Sequence, residues 1–223
     1  MKITASGISK GEVLPQQDVV YASGEVTLVA VEGGQRPSVL GLILSGRMAP
    51  DTGDVAPEAL RHSRPLRDQV VLVDAPEVNA PDDAVALKDV LIEDLVYACP
   101  GGRVAAAKAA RTLLADENAA EFARTAIHEV PAEVRVRLLC EAAVRHPGTT
   151  GLVLVAPDRH GGDPRDWYRV ARSLADRGLA VVVLAGHAAV EIASGLFVEA
   201  PHLPPTQALP VIEPEPEAEE EQE

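Results

Sequence analysis

Aromatic residues are scarce in this chain: two Phe, three Tyr and one Trp make up 3% of its 223 residues. With 47% hydrophobic content, the core must therefore be built from Val, Leu, Ile and Ala, and the length suits one domain with a small subdomain. Basic residues are also few, 20 against 34 acidic ones for a net charge of −14. That balance excludes a general nucleic-acid binder, whose surface needs a basic patch for phosphates. Half of the excess is local, because Glu213–Glu223 holds seven Glu and no Lys or Arg, leaving −7 for the rest. The only two cysteines, Cys99 and Cys140, form no CxxC pair and suit reduced, buried thiols rather than a disulfide framework. Long apolar runs are missing too. Val39–Leu44 and Leu179–Ala185 fall far below the ~20 residues a membrane helix needs, and Met1–Gly11 is too mixed and polar for a signal peptide. The expectation is a soluble, cytoplasmic protein with no direct membrane insertion.

What is present is an alternation of short apolar strands and helices. Met1–Val31 interleaves apolar pieces with turn residues, which predicts a small antiparallel β layer leading into a buried central strand at Val26–Val31. A glycine-containing loop follows at Glu32–Arg36, then a helix from Pro37 to Gly46, with Pro and Gly as start and stop signals. Met48–Val55 reads as a turn into another strand, and Val70–Val73 as a further strand before a Pro- and Asp-rich loop, Asp74–Asp83. Helical spacing predicts helices over Ala84–Ala98, Val104–Leu114, Asn118–Ile127, Glu133–His146 and Asp166–Arg177. Gly151–Val155 and Leu179–Ala185 are apolar throughout, as strands buried on both faces are. This alternation predicts a parallel α/β sheet. From Pro201 the Pro- and Glu-rich tail has too little apolar surface to fold and reads as disordered.

The order of these pieces resembles the ATP-binding cassette domain of ABC transporters over roughly Met1–Gly195. GEVTLVAVEGGQRPSVLGLILSGRMAPDTGDV is similar to that family's segment from "GEVT" through the phosphate loop to "aGrl.PdsGeV". VPAEVRVRLLCEAAVRHPGTTGLVLVAPDR resembles its signature helix, "hrP" end and second acidic strand, and RGLAVVVLAGHA the strand leading to its switch histidine. The resemblance implies an α/β, P-loop NTPase-like ABC ATPase core: a mainly parallel sheet flanked by helices, with an N-terminal antiparallel β layer and a helical subdomain. The implied organisation is a cassette-like domain over 1–200, its helical subdomain at roughly 84–146, and an acidic tail over 201–223.

The family's functional residues carry over poorly. The phosphate-loop pattern GxxGxGK[ST] falls on Val31, Gly34, Arg36, Pro37 and Ser38, of which only Gly34 and Ser38 match. Such a loop needs glycines so that backbone N–H groups can curl around phosphates. Arg36 adds a Cβ where glycine belongs, and Pro37 removes both a backbone donor and the lysine ammonium. Glu32 adds a negative charge beside the loop. Losing several charge-assisted bonds of about 1.5–3 kcal/mol each lowers phosphate affinity by orders of magnitude. The residues of this degenerate loop are Gly33, Gly34, Gln35, Arg36, Pro37, Ser38 and Val39. In the second acidic strand Val155 and Ala156 replace the metal-linked Asp and the catalytic Glu, a loss of roughly 10²–10⁴ in rate from the base alone. Asp158 and Asp163 lie nearby in a loop. VPAEV at Val130–Val134 lacks the serine and both glycines of the signature LSGGQ. Gln69 and Asn79 flank the region of the glutamine loop.

His187 occupies the switch-histidine position and is the one candidate catalytic residue. The remaining histidines, His62, His128, His146, His160 and His202, show no metal-ligand spacing, and Trp167 and Tyr168 read as packing residues. The favoured reading is an ABC ATP-binding-protein-like subunit that has lost ATP hydrolysis and ATP binding, with no cofactor and no metal. It would act as a structural or regulatory partner of a membrane protein or a second cassette subunit, at the inner face of the membrane through that partner. The alternative is a working ABC-type ATPase with ATP and Mg²⁺, Arg36 and Ser38 holding phosphate and Asp158 or Asp163 the metal.

Overall fold

A computed structural model describes residues 1–32, 34–58 and 65–195. Gly33, His62, His202 and the acidic tail, with the expectation of disorder placed on it, lie outside these residues. The first sheet is antiparallel, in the order β2 (Leu14–Ala22), β1 (Lys2–Lys10), β4 (Thr52–Glu58). Strand alternation puts Ile3 and Ala5 of β1 and Val19 and Tyr21 of β2 on one buried face, and an irregularity in the pairing between Ala5 and Ile8 brings Ile8 and Leu14 into the same core. The second sheet is parallel, in the order β3 (Val26–Ala30), β7 (Ala180–Ala185), β6 (Gly151–Val155), β5 (Val70–Val73).

Strand β3 is not the central strand expected of Val26–Val31. Among the described residues it pairs only with β7, at one end of the sheet, and its residues are at most half-buried. The centre belongs to β6 and β7, in which every residue is buried. Apolar content marks a strand without ranking its place in a sheet, because an edge strand can be covered on its faces by neighbouring layers. Here Thr27 Oγ1 donates to the Val20 carbonyl at 3.2 Å, tying β3 to β2.

Helix α1 (Arg36–Leu44) lies between the two sheets. Its Leu40, Ile43 and Leu44 share one core with Ile3, Ile8 and Tyr21 of the antiparallel sheet and with Val153, Val182 and Leu184 of the parallel sheet. Gly41 lets the helix come close: a Cβ there would stand 2.9 Å from both Leu72 Cδ1 and Val155 Cγ2. The Tyr21 hydroxyl donates to the Leu44 carbonyl at 2.6 Å, satisfying an acceptor at the helix C-terminus, and burial pushes its phenol well above the usual tyrosine range.

The opposite face of the parallel sheet carries the larger core, shared with α2 (Leu87–Ala98), α3 (Gly102–Asp116), α4 (Ala132–Ala143), α5 (Pro164–Asp176) and α6 (His187–Ala193). Helix α5 starts at Pro164, two residues before the expected Asp166, because Asp163 caps it by accepting the Arg165 N–H at 2.9 Å. Trp167 and Tyr168 pack in this core.

The helix expected over Asn118–Ile127 does not form. Asn118 adopts a left-handed backbone, φ 52°, and ends α3. Beyond it are two short 3-10 turns, Ala120–Arg124 and Ile127–Glu129, separated by extended residues. Leu87 N–H donates to Thr125 O and Ile127 N–H to Val85 O, both at 2.9 Å. Pairing with the chain that enters α2 thus outcompetes a local helical preference.

Candidate functional site

The carboxyl ends of the parallel strands, where open α/β sheets bind ligands, bring together the expected loop, Asp158 and His187. At the loop, Gly34 takes φ 51°, a conformation favoured by glycine. The side chains around it are engaged with protein. Gln35 Nε2 donates to Glu77 Oε2 at 3.1 Å, and Arg36 Nε to the Val13 carbonyl at 3.0 Å. Pro37 stands in the first turn of α1 and offers no N–H, and the Val39 N–H is used by Gln35 O at 2.9 Å. Ser38, 7% exposed, donates its hydroxyl to Pro76 O at 3.0 Å.

Two carboxylates converge beside the loop. Glu32 Oε1 accepts the His187 N–H at 2.9 Å, and Asp158 Oδ2 the Gly186 N–H at 3.1 Å. They cap the start of α6 with negative charge, as a helix dipole favours. The His187 ring is exposed, with Nδ1 3.4 Å from Glu32 Oε1. The cleft against the loop, lined by Glu32, Arg36 and His187 with residues of β2, has a volume of about 210 Å³, below the ~300 Å³ at which ligand pockets begin. Asp163 is not in this group; its carboxylate caps α5 and pairs with Arg165. Among the described residues no cluster of three His, Cys, Asp or Glu could hold a metal ion.

The densest polar cluster lies one strand further along, and nothing in the sequence spacing announced it. Asp74, at the end of β5 with φ 59°, is 2% exposed. Its Oδ1 accepts Arg135 Nη2 at 3.0 Å and Arg159 Nη2 at 2.7 Å; its Oδ2 accepts His160 Nε2 at 2.8 Å. Arg159 Nη1 adds bonds to the carbonyls of Asp74 and Val155, at 2.6 and 3.0 Å. Burial by itself would raise the Asp74 carboxyl, but the bonds from His160 and Arg135 and the two guanidinium charges hold it below the usual carboxylate range. Burial lowers the Arg159 guanidinium, against the opposing pull of Asp74. Three of these partners come from stretches read as loop, signature helix and unpaired histidine. The one available signal was an acidic residue directly after the apolar run Val70–Val73.

Asn79 serves the backbone. Its Oδ1 accepts the Ala75 N–H at 2.9 Å and its Nδ2 donates to Leu72 O at 2.7 Å, closing the turn after β5. Val130–Val134 leads into α4 from Pro131, and Val155 is fully buried at the end of β6 with Ala156 left-handed behind it, φ 46°. No helix among the described residues is long and apolar enough to cross a membrane.

No protein-family profile matches the sequence, and no curated protein matches it. Solved structures do. A nucleotide-free ATP-binding cassette from an ABC transporter superposes with a TM-score of 0.59 at 16% identity, covering 86% of this chain and 84% of that one. An ATP-binding cassette in its ADP conformation gives 0.58 at 15% identity, covering 86% and 83%. The protein cbiO1 from Clostridium perfringens, part of the ABC transporter complex cbiONQ, gives 0.56 at 16% identity, covering 83% and 78%. At these identities the likeness is one of architecture: the chain has the fold of an ABC-transporter ATP-binding cassette.

Proposed function

We propose that this chain is a cassette subunit that no longer binds or hydrolyses ATP and serves as a structural or regulatory partner of a membrane protein or a second cassette subunit. The observation that carries this reading is the use of Ser38. In a working loop the hydroxyl at this place goes to the metal ion; here it is buried and bonded to Pro76 O. The engagement of Gln35 and Arg36 by Glu77 and Val13, and the placement of the Glu32 and Asp158 carboxylates, support the same conclusion. A phosphate there would meet two negative charges and few free donors.

A docking role is supported by a groove of about 540 Å³ between the end of β5 and helices α2 and α4. Its floor is apolar, with Leu72, Val90 and Leu139, and its rim is acidic, with Asp82, Glu93 and Asp94. Such a groove fits a cationic amphipathic segment of a partner, apolar side down. Association at the inner face of the membrane would follow from that partner. Isothermal titration of the purified protein with Mg-ATP tests the first half of the proposal: no binding heat is expected, and a micromolar dissociation constant overturns it.

A further inference from the structure

The loop after β5 also walls a second cavity, of about 420 Å³, that neither the phosphate loop nor the groove explains. Pro76, Ala80 and Pro81 form an apolar wall; Arg135, Arg159 and His160 supply a basic end, and Asp82 and Asp83 an acidic one. The basic end is the covered end. The side chains of Arg135, His160 and Arg159 are 2%, 16% and 26% exposed, whereas Asp82 and Asp83 are exposed residues.

The basic end is under-compensated. Two guanidinium groups share the one carboxylate that hydrogen-bonds them, Asp74, and Asp83 adds only a through-space attraction to Arg159. A guanidinium carries five N–H donors. The bonds of Arg159 run from Nη1 and Nη2, which leaves its Nε–H and one Nη2–H. Arg135 spends Nε and Nη2 on Asp74 and Nη1 on Ile127 O, with an N–H left over on each Nη. A buried positive charge lacking a full partner is costly, and a ligand carboxylate would complete it with charge-assisted bonds. A simple anion would have to pass Asp82 and Asp83. Asp82 Oδ1 accepts the Ala84 N–H at 2.9 Å within its own turn, so its second oxygen and the Asp83 carboxylate remain as acceptors at the mouth. Positive floor and negative mouth together select a ligand with both charges.

We infer that this cavity binds a small zwitterion of the free amino-acid class, its carboxylate held by Arg135 and Arg159 and its ammonium by Asp82 and Asp83. The volume falls within the ~300–1,000 Å³ of small-molecule sites, large enough for an α-amino acid. The test is a titration of the full-length protein by ¹⁵N NMR, following the Arg159 Nε resonance at constant ionic strength. Glycine and L-alanine are the probes, with acetate and methylammonium as their separate halves. Glycine should shift the resonance saturably at millimolar concentration, about tenfold more tightly than either half. Asp83→Asn, on an exposed residue that makes no hydrogen bond to the Asp74 cluster and acts on Arg159 only through space, should weaken glycine several-fold with little change in the thermal transition. Arg159→Gln, followed by protection of backbone resonances around Ala80, should abolish binding. The inference is overturned if glycine and L-alanine produce no saturable shift, if acetate binds as tightly as glycine, or if Asp83→Asn leaves the affinity unchanged.

Discussion

Arg159 grips Asp74 at two points, its Nη2 on the carboxylate at 2.7 Å and its Nη1 on the backbone carbonyl at 2.6 Å. The same Nη1 reaches Val155 O. One guanidinium thus pins the left-handed Asp74 at the end of β5 to the end of β6, where Ala156 is left-handed in turn. Left-handed geometry costs an L-residue about 1–2 kcal/mol, so these turns persist because the bonds across the strand ends hold them.

Asp74→Ala should therefore destabilise the protein severely. It strands two guanidinium groups and a histidine around a buried void, a loss of about 3–5 kcal/mol. Removing the Asp163 cap of α5 by Asp163→Ala should cost only about 0.5–2 kcal/mol. Urea unfolding of the two variants checks the order; equal losses would show that the buried cluster contributes no more to stability than a helix cap.

Asp74 also predicts an acid limb. Its folded-state carboxyl lies below its unfolded value, near 3.9 for Asp. Its contribution to stability is therefore fully present above that unfolded value and is lost as pH falls through the lower folded one. Denaturation measured between neutral pH and about pH 2 should show stability falling at the acid end. In Asp74→Asn, starting from a lower stability, the part of that fall belonging to this residue should be missing.

Arg36→Ala separates the two readings of the loop. Its Nε bond to the Val13 carbonyl predicts a modest structural loss of about 0.5–1.5 kcal/mol, with no change in nucleotide affinity. Titration with Mg-ATP before and after the substitution reads this directly. Binding in the parent chain that disappears in the variant would establish Arg36 as a phosphate ligand and return the chain to the working ATPases.

Gly41→Ala tests the contact of α1 with the parallel sheet. In a helix interior Ala normally gains about 0.5–1 kcal/mol over Gly. Here the new methyl would press on Leu72 and Val155 at 2.9 Å, and overpacking costs typically ~1–3 kcal/mol. The contact should win, giving a net loss in thermal or urea denaturation. A stabilised variant would mean that α1 sits looser between the sheets.

Much of the architecture was readable because its signals are local. Gly151–Val155 and Ala180–Ala185 are apolar at every position, which only a strand covered on both faces tolerates. The helix over Asp166–Arg177 was readable from its spacing, although that spacing misses the Asp163–Pro164 cap that starts it two residues earlier. The mismatches in the phosphate loop were equally local, since Pro37 lacks its N–H in any fold. The failures were of another kind. Asn118–Ile127 has helical composition, yet Val85 and Leu87 capture its backbone from more than thirty residues away in the chain. The apolar Val26–Ala30 run gave no hint that β3 closes the sheet at its edge.

By itself, the sequence determined the strands of the parallel sheet and most, not all, of the helices around it, the order of cassette-like segments, and that Pro37 stands where the resemblance calls for a lysine. These follow from side-chain periodicity, ring constraint and missing donors, all properties of neighbouring residues. Only the tertiary structure decided where those groups point. It turned Ser38 to Pro76 and Arg36 to Val13, and set Glu32 and Asp158 on the N–H groups of α6. It also gathered Asp74, Arg135, Arg159 and His160 from three separate stretches into one buried cluster. Pairings of that range depend on chain topology, which no local pattern encodes.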